Sequence, residues 1–73
     1  MPNELKYRAS GVLIASCHVR DEVWLVCVRH GNEFVVSNYR NGSEEWISGS
    51  YFFGSSDDEN RRSALTEFAS RLN

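Results

Sequence analysis

The chain has 73 residues, of which 41% are hydrophobic and 25% charged, with a formal net charge of -2. That length excludes a two-domain enzyme, the composition excludes a disordered chain, and two cysteines are too few for a disulfide-dense scaffold. A domain this small buries only about 60% of its unfolded surface, so a partner or a staple is expected.

The predicted elements follow in chain order. A first strand runs from about residue 7 to 20, with Val12, Leu13, Ile14, Ala15, Ser16 and Cys17 at its centre. Gly11 marks a bend or bulge there. Arg20, Asp21 and Glu22 interrupt the apolar run and suit a turn. A second strand over 23–30 is rich in Val and carries Trp24. Gly31-Asn32 is a two-residue hairpin signal of type II′, because Gly accepts positive φ. A third strand spans 33–40. Asn41-Gly42 is the strongest short hairpin signal in the chain. A fourth strand runs over 44–53, where Gly49 is a candidate bulge.

Gly54 to Asp58 then breaks the strand pattern. Ser56 and Glu59 have capping-box spacing. Asp57, Asp58 and Glu59 suit the positive end of a helix dipole, and Arg71 suits the negative end. Ala64, Leu65, Phe68, Ala69 and Leu72 form one apolar stripe at helical spacing. A helix is predicted over 57–72. The expected fold is α+β: one domain over 1–73, with a four-stranded antiparallel meander followed by a C-terminal helix packed on one face.

Two-residue loops at both hairpin signals set a register. Val28 then opposes Val35, Val26 opposes Ser37, Ser37 opposes Trp46 and Val36 opposes Ile47. One face collects Val23, Leu25, Cys27, Phe34, Val36, Ile47, Gly49, Tyr51 and Phe53. The other collects Trp24, Val26, Val28, Val35, Ser37, Tyr39, Trp46, Ser48 and Phe52. Neither is polar, and a lone helix covers one. The face without Trp is the better floor for it. Trp24, Val26, Val28, Tyr39, Trp46 and Phe52 are therefore the candidate interface. Three explanations stay open for that second face. It forms a homodimer by stacking sheets, it docks on another protein, or the first strand, the N-terminal residues or a bulge hides it.

The chemistry points away from an enzyme. Cys17 and His18 are neighbours on a strand, so their side chains diverge. Two His and no carboxylate cluster give no expected metal site, and no cofactor motif is present. Cys17 and Cys27 read as small core residues, bridged only if the first hairpin sets them opposite each other. Residues 1–40 carry five basic against four acidic side chains, a balance of +1. Residues 41–73 carry three against six, a balance of -3. No basic block is present, which disfavours nucleic acid as a partner. A nucleic-acid module stacking bases on the same aromatics is nonetheless the alternative to a self-associating or protein-binding accessory protein. Residues 1–10 carry no signal-like apolar segment and no bilayer-length run exists, so a cytoplasmic location without membrane contact is expected.

The segments Val23-Trp24-Leu25-Val26 and Gly49-Ser50-Tyr51-Phe52 precede a helix with Ala64, Phe68 and Arg71 at intervals of four and three. Over roughly the last two thirds, this resembles short uncharacterised proteins of bacterial mobile elements, of plasmid, conjugative-element or integron-cassette type. Such proteins often carry His between the Gly and the Tyr, where this chain has Ser50. The resemblance implies a compact β-rich domain with a C-terminal helix and no particular activity.

Overall fold

The computed structural model describes residues 11–43 and 45–72. The predicted strand residues 7–10 and Glu44 lie outside that range. Four strands, β1 (Val12–Arg20), β2 (Val23–His30), β3 (Glu33–Arg40) and β4 (Glu45–Phe52), precede one helix, α1 (Asp57–Arg71). Each strand pairs antiparallel with its sequence neighbour, in the order β1-β2-β3-β4. The chain is thus the α+β meander with a C-terminal helix.

The β2–β3 hairpin has the predicted register. Val28 pairs with Val35 and Val26 with Ser37, around Gly31-Asn32. Gly31 alone in that loop has positive φ, +62°, as the first position of a type II′ turn requires.

The β3–β4 pairing differs from expectation by two residues. Tyr39 opposes Trp46 and Asn38 opposes Ile47. The Asn41 backbone N–H donates to the Glu22 carbonyl at 2.8 Å, one rung beyond the Val23–Arg40 pair of the β2–β3 ladder. Asn41-Gly42 does not close a two-residue loop: Arg40 pairs with Glu45, their side chains 3.6 Å apart.

A bulge then changes the register again. Val36 opposes Ser50, so Ser48 and Gly49 together face Ser37. Ser48 takes the left-handed conformation, φ +59°. Beyond the bulge every β4 side chain changes face. Phe52 joins Phe34 on the helix side, and Tyr51 joins Val35 on the other. The expected placement of these two rings is reversed by that one extra residue.

The helix packs on the face without Trp. Leu25, Cys27, Phe34, Val36 and Ala64 are buried together, with Ile14, Ala15, Phe52 and Phe68 against them. Burying each large side chain of this set stabilises the fold by about 1.5–3 kcal/mol. Ser56 caps the helix by accepting the Glu59 N–H. The helix is rolled relative to its predicted stripe. Asn60, Ala64 and Phe68 face the sheet, while Leu65 and Leu72 are 37% and 50% exposed. Two polar ties join the rolled helix to the sheet: Arg29 bonds Asp57 at 2.9 Å, and Arg71 donates to Ser50 Oγ at 2.8 Å. Asn60 Nδ2 donates to the Ser55 carbonyl just before the helix, at 3.1 Å. Ala64 gives the helix its closest approach, and the longer leucines would hold it away.

Candidate aromatic binding face

The opposite face is built from the strand register. His18, Trp24, Tyr39 and Trp46 form one row across the four strands. Leu13, Val28, Val35 and Tyr51 form a second. His30 and Glu33, paired across the hairpin, close the end. Of the six predicted interface residues, Trp24, Val26, Val28, Tyr39 and Trp46 share this face. Phe52 does not, because the bulge places it under the helix.

The face is also less open than its composition suggests. Val26, Val28 and Tyr39 have 0% exposure, and Leu13, Trp24 and Trp46 pack against them. The expectation that these three would lie exposed for a sheet-stacked dimer is therefore overturned. Bulges beside Ile14 and Val19 interrupt the β1–β2 register, and the one in β4 interrupts the β3–β4 register. Whether N-terminal residues fold across it falls on residues outside the described range.

What remains accessible is a rim. Trp24 and Trp46 are half-buried, each tilted against a neighbour: His18 at 5.1 Å and 51°, and Tyr39 at 4.8 Å and 54°. Such tilted pairs add about 0.5–1.5 kcal/mol beyond burial. Tyr51 is 60% exposed. Its ring lies back over Gly49, where any side chain would meet it at 3.3 Å. Between Trp46 and Tyr51 opens a depression of about 190 Å³, bordered by Val35, His30 and Glu33. Tyr51, His30 and Glu33 escaped the sequence reading. The signal for Tyr51 is Gly49, a bulge candidate, because one extra residue there reverses the facing of the residues after it.

Larger hollows lie elsewhere but offer less. One of about 600 Å³ is bordered by Asp58, Arg61, Arg62, Leu65, Thr66 and Ala69, all along one side of the helix. Another of about 430 Å³ sits at the loop before the helix. The first is lined by the helix alone, and the second joins Asn32 of the β2–β3 turn to the loop and first turn of the helix.

The nucleophiles are placed for packing. Cys17 pairs with Leu25 and Cys27 with Ala15, so the cysteines lie diagonally rather than opposite, and both are free thiols. Burial pushes the Cys27 thiol up from 9.0, against a smaller pull down from Arg61. The Cys17 thiol reaches the His18 carbonyl at 3.7 Å and not the imidazole, whose Nε2 lies 2.7 Å from the Asp21 carbonyl oxygen. Among the described residues, no group of three or more His, Cys, Asp or Glu side chains is placed to hold a metal ion. No helix among them is long and apolar enough to cross a membrane. Comparison with protein-family models, curated proteins and solved structures finds no match to the chain.

Proposed function

We propose that the chain is a small accessory protein without catalytic activity, which binds a protein partner at the rim of its aromatic face. The observation that carries this reading is the depression between Trp46 and Tyr51. Two large rings left partly in water beside a fully packed centre match the anatomy of binding hot spots, where Trp and Tyr are enriched. Partner binding fits better than face-to-face self-association, because the residues that would form the middle of a stacked dimer are already buried. It also fits better than nucleic acid. Glu33 borders the depression beside these rings and would repel phosphate. A mobile-element setting, as the sequence resemblance implies, suits an accessory role of this kind.

A photo-crosslinking amino acid placed at Tyr51 tests the reading, with the same group at Thr66 on the helix as the control. In the native host, irradiation is expected to give a discrete protein adduct from position 51 and none from position 66. No adduct from position 51, or the same adducts from both positions, would sink the proposal.

A further inference from the structure

The depression on the aromatic face has a chemistry that narrows the partner. Trp46 and Tyr51 present rings whose faces are electron-rich, and a cation over such a face is attracted to it. Glu33 adds a full negative charge at the border. Its side chain is half-buried, and it makes no ion pair among the described residues. Three other carboxylates are taken up by cations: Glu45 by Arg40, Asp57 by Arg29 and Glu67 by Arg71. Among the described residues no basic side chain other than His30 borders the depression, and Val35 supplies an apolar wall for an aliphatic stem. A space of about 190 Å³ admits one side chain rather than a folded segment.

We propose that this depression receives an arginine side chain of the partner. The guanidinium lies flat against an aromatic ring, and its N–H edge meets the Glu33 carboxylate. Arginine uses both features at once, because its planar group stacks on rings and its fork matches a carboxylate. A lysine ammonium makes the ion pair without the planar stacking. A quaternary ammonium has no N–H for Glu33. The inference rests on reading this face as the partner surface, and it adds the identity of the group that enters it.

The probe is a short capped peptide, Gly-Arg-Gly, titrated into the full ¹⁵N-labelled chain. The indole N–H of Trp46 and the amides of Glu33 and Tyr51 report on binding. Saturable shifts at these positions are expected with the arginine peptide, and at least tenfold weaker binding with the citrulline peptide, which keeps the shape and loses the charge. The lysine peptide is expected to bind several-fold more weakly than arginine. Glu33→Gln is expected to weaken the arginine peptide by about tenfold, the loss of one charge-assisted contact. Tyr51→Ala is expected to weaken it also, and its exposure leaves the fold unharmed. Equal shifts with citrulline or lysine, shifts away from Trp46, or indifference to Glu33→Gln would overturn the assignment. A chain that ignores the arginine peptide but crosslinks from position 51 keeps the partner reading and loses the arginine. A chain that takes the peptide but never crosslinks does the reverse.

Discussion

Ser37 shows how one polar atom holds the sheet to an irregular register. Its side chain is fully buried, yet its hydroxyl is satisfied. Oγ lies 3.0 Å from the Ile47 carbonyl oxygen and 2.9 Å from its neighbour's, Asn38, and shares its proton between them. The bulge at Ser48 and Gly49 interrupts the ladder just beyond Ile47, and the serine supplies a donor there. Ser37→Ala should therefore cost about 1–3 kcal/mol, the price of leaving a buried carbonyl unsatisfied. Urea unfolding would show this as a lower midpoint at an unchanged slope. A variant as stable as wild type would mean that the hydroxyl is not needed at the bulge. Gly11 is constrained in a different way. A methyl group there would stand 2.5 Å from Val28 Cγ1 and 2.6 Å from the His30 ring, so the chain enters β1 where only a glycine fits.

The helix separates what a hydrophobic pattern can show from what it cannot. Its start and end were legible, because Ser56, the three acids of the first turn and Arg71 are local signals that act within the helix itself. Its roll was not. The apolar count favours the Leu65 and Leu72 side, but the sheet-facing line is Asn60, Ala64 and Phe68. Asp57 and Arg71 reach sheet-side partners only in the folded chain, at Arg29 and Ser50. No spacing rule within the helix encodes those ties. The observed roll predicts an inverted mutational pattern. Ala64→Leu should overpack the interface and cost about 1–3 kcal/mol, while Leu65→Gln should stay within about 0.5 kcal/mol of wild type. Thermal unfolding followed by circular dichroism would decide, and the opposite ranking would place the stripe back on the sheet. The strands divide in the same way. Val-rich runs and Gly31-Asn32 fixed the β2–β3 pairing, because the turn chemistry is contained in two residues. At β3–β4 the Asn41-Gly42 signal misled by two places: Arg40 pairs with Glu45 rather than across a two-residue loop, while Asn41 continues the β2–β3 ladder to Glu22. The candidate site changed at the bulge alone: a two-place shift keeps each side chain on its face, whereas the extra residue at Ser48 and Gly49 brings in Tyr51 and takes out Phe52.

The molecule as a unit has a better-filled second face than its size suggests. A chain of this length with two apolar sheet faces and one helix reads as half of a dimer. The full burial of Val26, Val28 and Tyr39 within one chain removes the main reason for that. Sedimentation equilibrium at micromolar concentration is expected to give the mass of a monomer. A dimer that dissociates on Trp46→Arg would restore the stacked arrangement.

The meander order has a consequence for how the molecule comes to be. Every strand hydrogen-bonds to the strand next to it in the chain, and α1 packs back over the strands just before it. Closing short loops costs little entropy, and topologies of short sequence separation fold fast for their class. The chain can assemble progressively, one hairpin extending the last, with no strand awaiting a distant mate. The Asn41–Glu22 bond follows the same rule: it continues the β2–β3 ladder one rung past Val23 and Arg40, so it needs only that hairpin and closes with it.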